Sequence, residues 1–303
     1  MHLTFRQLQL FLALVEHGSI SAAARACHVT QPTVSMQLRE LSESVGLPLY
    51  EQLGRRLSLT EAGRELAASA RVTMDEWAAF DERLQQLKGL ERGHLRLAVV
   101  STAESFIPAR LASFCREHPG IDIRLEVLNR DGVVRRLRDN LDDVSIMSMP
   151  PEDLEIEREA FMANPLVMIA AASHPLARRR SLSLDQLAGE RFVLREPGSG
   201  TRLACERHFA AQGFQPRVQL QLGSNEAIRR AVAAGMGVGL ISQHALGSAL
   251  EAADLGLVVL RTRGFPIHSN WFIVTLRGKR LSPSAAAFLA HLRQAAPGAR
   301  DRV

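Results

Sequence analysis

The 303-residue sequence is poor in cysteine and in aromatic residues. It contains three cysteines, two tryptophans and one tyrosine. Cys27, Cys115 and Cys205 are odd in number, far apart and each set in a helical pattern, which indicates reduced, partly buried thiols. No group of cysteines and histidines has the spacing of metal ligands. The sequence therefore excludes a disulfide-rich secreted domain and predicts no metal site.

Long apolar runs and a leader-peptide pattern are also missing. No run approaches the roughly 18 apolar residues that a membrane span needs. Residues 1–6 lead directly into an amphipathic helix, without a basic segment, an apolar core and a cleavage site. With 46% hydrophobic and 23% charged residues, the chain is long enough for two or three domains with real cores. We therefore predict a soluble cytoplasmic protein without a membrane partner.

Catalytic constellations are a third absence. Neither Ser101 nor Ser199 lies in a Gly-x-Ser-x-Gly elbow, and no cysteine has the setting of a nucleophile. Residues 235–239 are rich in glycine, but they follow a helix and lack the third glycine of a dinucleotide-binding fingerprint. We therefore expect no enzymatic activity and no cofactor.

The most strongly patterned stretch that the chain does contain is residues 19–60. Thr30 is a good helix N-cap, and Pro32 fits the first helical turn. Apolar residues then recur at spacings of 4, 3 and 4, at Val34, Leu38, Leu41 and Val45. This spacing predicts an amphipathic helix whose opposite, polar face would suit base edges in a DNA major groove.

The segments around this helix indicate a winged helix-turn-helix. Residues 5–15 predict a first helix, residues 22–26 a short second one, and the helix after Thr30 would be the recognition helix. Residues 47–60 predict a two-stranded wing, whose tip arginines would meet the phosphate backbone or the minor groove. The candidate DNA-binding residues are Ser21, Thr30, Gln31, Pro32, Thr33, Ser35, Met36, Gln37, Arg39, Arg55 and Arg56.

The basic excess of the chain lies outside this N-terminal part. The whole chain has a formal net charge of +5. Residues 1–92 contain 10 Lys and Arg against 11 Asp and Glu, a net charge of −1, so the remaining residues carry +6. DNA binding would therefore depend on local placement of arginines and on dimerisation. The basic part favours either an anionic ligand or ordinary solvated arginines.

Residues 60–88 predict one long helix. Its apolar stripe repeats at spacings of 4 and 3, at Leu66, Ala70, Thr73, Trp77, Phe80, Leu84 and Leu87. This 3.5-residue period is typical of a coiled-coil seam between two chains, although the stripe would also suit packing on its own chain. Gly89 and Gly93 then predict a short hinge.

The rest of the chain alternates strands and helices. Strands are predicted at residues 94–100, 121–128 and 144–149, with helices at 105–118 and 132–140 between them. A second set follows, with strands near 166–171, 192–195, 218–222 and 238–242 and helices beginning near Ser183, Thr201, Asn225 and Gln243. A strand at 271–276 and a helix at 282–294 end the pattern. It predicts two α/β lobes with parallel strands, the last segment returning to the first lobe.

Two strand ends in this α/β part have the residues of an anion site. Ser101 and Thr102 follow the first strand, while residues 195–202 follow a strand of the second lobe and contain Gly-Ser-Gly between two arginines. Backbone N–H groups at such a helix start would bind a phosphate or carboxylate, although a plain glycine-rich turn and helix capping are the alternatives. The candidate effector-binding residues are Ser101, Thr102, Arg195, Ser199, Gly200, Thr201, Arg202 and Asn225.

Several of these motifs resemble the N-terminal signature of LysR-type transcriptional regulators. The matching segments are 22–24, 31–35, 46, 49–50 and 59–63. Met36 and Glu51 stand where that family usually has basic residues, and this variant resembles the branch that regulates Calvin-cycle (RuBisCO) operons. Segments 95–100, 195–202 and 222–228 resemble the same branch, so the likeness spans nearly the whole chain.

The resemblance implies a particular domain organisation. It consists of a winged helix-turn-helix at 1–60, a linker helix and hinge at 61–92, and a periplasmic-binding-protein-like effector domain at 93–303. Lobe I of that domain would cover about 93–163 and 267–303, and lobe II about 164–266.

The resemblance also implies partners. They are promoter DNA, a second copy of the chain in a dimer or tetramer, RNA polymerase, and a small anionic metabolite such as ribulose 1,5-bisphosphate, 3-phosphoglycerate or NADPH. The alternatives are a LysR-type regulator of another operon with a carboxylate effector, and a solute-binding or enzymatic α/β protein with an appended helical domain.

Overall fold

The computed structural model describes residues 2–53, 56–87 and 92–294. The chain divides into two compact units, Met1–Lys88 and Gly89–Val303. Within the described residues, every helix is too short or too polar to cross a lipid bilayer.

The N-terminal unit has three helices, a two-stranded wing and a long helix. Thr4, Ser19 and Thr30 each cap a helix by accepting a backbone N–H with the side-chain oxygen. Gly18 and Gly46 end two helices in the left-handed conformation, with φ of 69° and 80°. In chain order the elements are α1 (Phe5–His17), α2 (Ile20–Ala26), α3 (Gln31–Val45), β1 (Tyr50–Leu53), β2 (Arg56–Leu59) and α4 (Glu61–Leu87).

One hydrophobic core holds this unit together. The predicted stripe of α3 is fully buried at Val34, Leu38 and Leu41. It packs with apolar residues of the neighbouring segments, namely Leu10, Phe11, Leu14, Ala23, Ala24, Leu49 and Ala67. A Cβ on Gly63 would lie 1.8 Å from the carbonyl oxygen of Leu49, so only glycine allows α4 to start this close to the wing. The core therefore fixes which face of α3 remains free.

The apolar stripe of α4 is buried near the start of the helix and exposed further along it. Ala70 is buried within the N-terminal unit, whereas Trp77 and Phe80 are 54% and 43% exposed. Trp77 contacts Phe5 of α1 at a ring-centroid distance of 5.2 Å and Phe80 at 5.6 Å. The far part of the stripe is thus an exposed aromatic surface, and the seam between two chains stays a prediction. Leu87 ends the helix, but its side chain lies outside the described part, as does most of the predicted hinge.

The C-terminal unit alternates strands and helices as predicted. In chain order the elements are β3 (Gly93–Val100), α5 (Ile107–Glu117), β4 (Ile121–Leu128), α6 (Arg130–Arg138), β5 (Val144–Met147), β6 (Ile156–Ala163), β7 (Leu166–Ala171), β8 (Arg191–Arg195), α7 (Gly200–Ala211), β9 (Arg217–Leu222), α8 (Asn225–Ala233), β10 (Val238–Ser242), α9 (Gln243–Leu246), α10 (Ala249–Asp254), β11 (Leu257–Val259), β12 (Asn270–Leu276) and α11 (Pro283–Gln294).

Two five-stranded sheets organise these elements into two lobes. The sheet of lobe I has the order β4-β3-β5-β12-β6, and the sheet of lobe II has the order β11-β7-β10-β8-β9. β3 is parallel to β4 and β5, whereas β12 is antiparallel to β5 and β6. In lobe II, β8 is parallel to β9 and β10. Each sheet buries its own apolar core.

The chain passes between the lobes twice, and the two passes lie side by side. The Asn164 N–H donates to the Ser269 carbonyl at 2.8 Å, and Leu166 and Ile267 exchange two backbone hydrogen bonds of 3.0 Å. β12 therefore returns to lobe I beside the point where the chain left it.

Several local expectations were wrong. The helix expected near Ser183 is only a 3-10 turn at Asp185–Leu187, because Gly189 follows too soon for a helix to extend. The helix predicted at 105–118 is present as α5 (Ile107–Glu117), but the 3-10 segment before it, Ser101–Ser105, was not predicted. β6, α10 and β11 were not predicted. All three cysteines are free, but Cys115 is exposed, whereas burial raises the pKa of the Cys205 thiol.

Candidate functional site

The polar face of α3 has its first residues held in place. The hydroxyl of Ser21 donates to the side-chain Oε1 of Gln31 at 3.1 Å. Because the side-chain oxygen is occupied, the Gln31 amide N–H groups remain available as donors toward an acceptor on a base edge. The Thr30 hydroxyl caps the helix and lies 2.8 Å from the Thr33 hydroxyl. Thr30 therefore supports the helix start, while Gln31 is the better candidate for base contact.

Further along, α3 presents an apolar and a basic side chain to solvent. Met36 is 53% exposed, and Arg39 is exposed and without an ion-pair partner in the part of the chain that the structure describes. Gln37 instead donates to Glu40 at 2.9 Å. Pro32 is exposed and Ser35 half-buried on the same helix. The expected mixture of donor, thioether and cation is therefore present on the free face.

The predicted two-stranded wing is present, but the side chains of its two arginines lie outside the described part of the chain. β1 pairs with β2 in antiparallel register, with Tyr50 opposite Leu59. Arg55 lies outside the described residues, and Arg56 begins β2 with a side chain that is likewise outside them. Their contact with DNA stays a prediction.

In the C-terminal unit, Arg195 lies at the carboxyl end of β8 and joins the two lobes. Its side chain is 1% exposed. The guanidinium donates to the hydroxyls of Ser101 at 3.0 Å and Thr102 at 3.3 Å, both in lobe I. In lobe II it donates to Asn225 Oδ1 at 3.2 Å. Four residues predicted for the effector site thus meet at one point between the sheets.

The charge of Arg195 is already balanced by its neighbour. Glu196 accepts from Arg195 Nε at 2.8 Å and from Nη2 at 3.0 Å. Asn225 Nδ2 also donates to Thr102 Oγ1 at 3.3 Å. Arg195 consequently has its guanidinium hydrogens committed within the protein, and an incoming anion would compete with the Glu196 carboxylate for them.

The N-terminus of α7 faces the same cleft. Ser199 is the N-cap residue without a side-chain capping bond, and the first helical bond runs from the Leu203 N–H to the Ser199 carbonyl. The N–H groups of Gly200, Thr201 and Arg202 are therefore free of helical partners, as at any helix start. Ser199, Gly200 and Thr201 are buried. Three N–H donors at a buried helix N-terminus form a ready site for an anion.

Two glycines bring this loop close to lobe I. A Cβ on Gly200 would lie 3.2 Å from the Ser148 hydroxyl, and one on Gly198 would lie 2.6 Å from Asp131 Oδ2. Gly198 also has φ of +84°, and its carbonyl accepts from the Asp131 N–H at 3.2 Å. The Gly-Ser-Gly run therefore serves a close approach between lobes as well as the presentation of N–H groups.

Arg202 is placed differently from the expectation of an anion clamp. Its guanidinium donates to Glu206 one helical turn later at 2.6 Å and to the Arg195 carbonyl at 3.2 Å. Both contacts lie within lobe II. In this structure Arg202 orients the start of α7, and its direct contact with a ligand stays a prediction.

Sequence reasoning missed three residues of the cleft. Ser148 follows β5 as Ser101 follows β3, so the rule of strand carboxyl ends could have found it. Glu196 is adjacent to Arg195 in sequence, but its role as the internal counter-ion needed the structure. Arg130 donates from Nε to the Met149 carbonyl at 2.6 Å, beside Ser148, and nothing in its sequence context indicated this.

A winged helix-turn-helix with a free polar face, joined in one chain to a two-lobed unit with an anion-ready cleft, defines a ligand-responsive DNA-binding regulator. Residues 5–64 match the family model of the bacterial regulatory helix-turn-helix protein, lysR family, and residues 88–297 match the LysR substrate binding domain. The chain belongs to the LysR family of transcriptional regulators.

Individual relatives agree with this assignment. A RuBisCO operon transcriptional regulator of Allochromatium vinosum is 46% identical over 288 residues, which cover 95% of each chain. The regulatory domain of CcmR from Synechocystis PCC6803, solved in complex with 2-PG, is 41% identical with a TM-score of 0.65, covering 69% of this chain and 99% of that domain. The structure of full-length CbnR in complex with its target DNA matches 96% of this chain and 99% of the CbnR chain at a TM-score of 0.64. At 23% sequence identity, this similarity shows the fold alone.

Proposed function

We propose that this protein regulates CO2-fixation genes in response to a small phosphorylated metabolite bound between its lobes. The observation that carries the proposal is the Arg195 cluster, in which side chains of both lobes converge beside the N-terminus of α7. The similarity to a RuBisCO operon regulator supports the target genes. The relative solved with 2-PG, 2-phosphoglycolate, supports the class of effector.

The cleft offers a phosphate complementary partners from both lobes. The N–H groups at the start of α7 donate from lobe II, and the hydroxyls of Ser101, Thr102 and Ser148 do so from lobe I. A phosphate that takes one of the Arg195 donors displaces Glu196, which lies in the same lobe, and so binds the guanidinium that also donates to Ser101 and Thr102 of lobe I. The anion then shifts the balance between two lobe arrangements by its differential affinity for them.

The remaining functional assignments follow the domain plan. Residues 1–60 bind promoter DNA, residues 61–92 link and pair two chains through the aromatic part of α4, and residues 93–303 sense the effector, with lobe I at about 93–163 and 267–303 and lobe II at about 164–266. The protein acts in the cytoplasm as a dimer or tetramer, contacts RNA polymerase at the promoter and catalyses no reaction.

Footprinting on the intergenic DNA beside the gene, with and without effectors, tests this function. The panel contains 2-phosphoglycolate, ribulose 1,5-bisphosphate, 3-phosphoglycerate and NADPH, with glycolate as the unphosphorylated control. We expect protection of an interrupted palindrome and a change of the footprint with a phosphorylated compound, since coupling of this kind is typically about 1–3 kcal/mol. A response to carboxylates alone would indicate that the protein regulates another operon. The absence of specific protection would reject the proposal that the protein binds a specific DNA sequence.

A further inference from the structure

Lobe II contains a cavity that the cleft between the lobes does not use. Its volume is about 360 Å³, within the lower range of small-molecule pockets. Apolar side chains of β7, β11 and the following loop form much of its wall, among them Val167, Val259 and Phe265. Arg195 and the start of α7 are not among its lining residues.

The loop that closes the cavity is held at several backbone points. The Leu182 N–H donates to the Arg261 carbonyl at 2.9 Å, and the Arg263 N–H donates to the Leu182 carbonyl at 2.8 Å. The Leu260 N–H donates to the Met168 carbonyl at 2.8 Å, and the Phe265 N–H to the Thr262 carbonyl at 3.1 Å. The pocket is therefore preformed, and a ligand would lose little affinity to ordering of the loop.

Three arginines line this cavity, and their charges are not balanced. Arg180, Arg261 and Arg263 are exposed, and their guanidinium groups have no ion-pair or hydrogen-bond partner among residues 2–53, 56–87 and 92–294. Other arginines of this unit do have carboxylate partners, as in the Arg96–Asp143 and Arg136–Asp142 pairs. A group of unpaired cations around an apolar pocket favours a ligand with negative charge.

A buried threonine also lines the cavity. Thr262 is 5% exposed, and within the described part of the chain its hydroxyl has as partners only the Met168 sulfur at 3.9 Å and the Leu260 carbonyl at 3.5 Å. Both distances lie at the outer limit of hydrogen bonding. A ligand atom in the pocket would give this hydroxyl a better partner.

We propose that this cavity is a second ligand site, which binds a small anion carrying an apolar body. The apolar part lies against Val167, Val259 and Phe265, and the anionic group lies at the rim between the arginines. The class comprises aromatic or branched aliphatic carboxylates, sulfonates and phosphate esters. A bare inorganic anion lacks the part that the apolar wall binds.

Fluorescence titration of the full-length protein with 8-anilinonaphthalene-1-sulfonate tests the site, because this probe joins a sulfonate to aromatic rings. The test variants are the double substitution Arg261→Gln with Arg263→Gln, and Val259→Glu, which places a carboxylate at an exposed position of the wall. The matched control is Arg178→Gln with Arg179→Gln, which removes the same charge from exposed positions outside the lining. Benzoate, benzamide and inorganic phosphate serve as competitors.

We expect both test variants to raise the dissociation constant of the probe by about tenfold or more, and the control to leave it unchanged. Benzoate should displace the probe, whereas benzamide and phosphate should not. No saturable binding, unchanged affinity in the test variants, or an equal loss in the control would overturn the proposal. Equal displacement by benzamide or phosphate would do so as well, because the ligand would then need no charge or no apolar body.

Discussion

The hydroxyl of Thr102 in lobe I accepts hydrogen bonds from both Arg195 and Asn225 in lobe II, each at 3.3 Å. One oxygen thus serves two donors that come from different strand ends of the opposite sheet. Because Thr102 is 5% exposed, water has little access to replace it.

The first prediction follows from this contact. Thr102→Val keeps the shape of the side chain but leaves one buried donor, on Arg195, and one half-buried donor, on Asn225, without this acceptor, which should lower the free energy of unfolding by about 1–3 kcal/mol. Calorimetric titration should also show weaker binding of 2-phosphoglycolate. Urea unfolding measures the free energy of unfolding. Thr102→Ser retains the hydroxyl and is the control in both the unfolding and the titration experiments. Equal behaviour of the Val variant and the wild type would mean that the hydroxyl carries no interaction.

The second prediction concerns the Ser21–Gln31 pair. Gln31→Ala should weaken specific operator binding by about 1–3 kcal/mol and relax the preference at one base pair. Ser21→Ala should have a smaller effect of the same kind, since the amide keeps its donors and loses only its orientation. Arg39→Gln should instead weaken all DNA sequences and reduce the salt slope by about 1. Gel shifts on operator and scrambled DNA at several salt concentrations measure the ratio of specific to nonspecific affinity and the salt slope. An unchanged affinity ratio for Gln31→Ala would show that this residue contacts no base.

The third prediction concerns the exposed aromatic part of α4. Trp77→Asp or Phe80→Asp would bury a charge in the proposed seam, at a cost of several kcal/mol. Sedimentation velocity at micromolar concentration should then show monomers, together with loss of operator binding. Ala68→Asp is the matched control, because Ala68 is exposed on the same helix and lies outside the stripe. Test variants that remain dimeric would place the interface elsewhere.

The fourth prediction is a pH dependence of stability in lobe I. Arg293 of α11 donates to Glu159 of β6 at 2.7 and 3.0 Å, and these hydrogen bonds hold the pKa of the Glu159 carboxyl below its ordinary value. A carboxyl whose pKa is lower in the folded than in the unfolded protein stabilises the folded state at pH values above its unfolded-state pKa. This stabilisation is lost as the pH falls through the folded-state pKa. Both side chains are about half exposed, so the effect is at most about 1 kcal/mol.

Glu159→Gln should therefore destabilise the protein slightly at pH 7 and not at all at a pH below the folded pKa of Glu159. Urea midpoints across this range measure the difference. Glu157→Gln is the control, with the same substitution two residues away on the same strand. A difference that persists in acid would show that the glutamate acts through packing and not through its charge.

Local signals in the sequence were sufficient for the N-terminal unit. Thr30 as the cap, Pro32 in the first turn and the stripe from Val34 to Leu41 act within one or two turns of helix, so their consequences are readable without tertiary information. The order of strands and helices in the two lobes was likewise predictable, as was the meeting of Ser101, Thr102 and Arg195 at the carboxyl ends of parallel strands.

What the sequence did not reveal depends on tertiary pairing. β6 was missed because residues 157–159 are charged, and they form a strand only as the sheet edge beside β12. The capping box of α10, with Ser248 and Glu251, was a local signal that could have been found. The ion pair between Arg195 and its neighbour Glu196 could not have been found, because the sequence does not indicate which of several acceptors a buried guanidinium bonds to.

The two chain passes between the lobes have a mechanical consequence. The bonds from Asn164 to Ser269 and between Leu166 and Ile267 join the passes into a short antiparallel ribbon. Sliding one pass along the other would break all three bonds, whereas bending or twisting both together would keep them. A change in the angle between the lobes is therefore compatible with these bonds, whereas a translation of one lobe past the other is not.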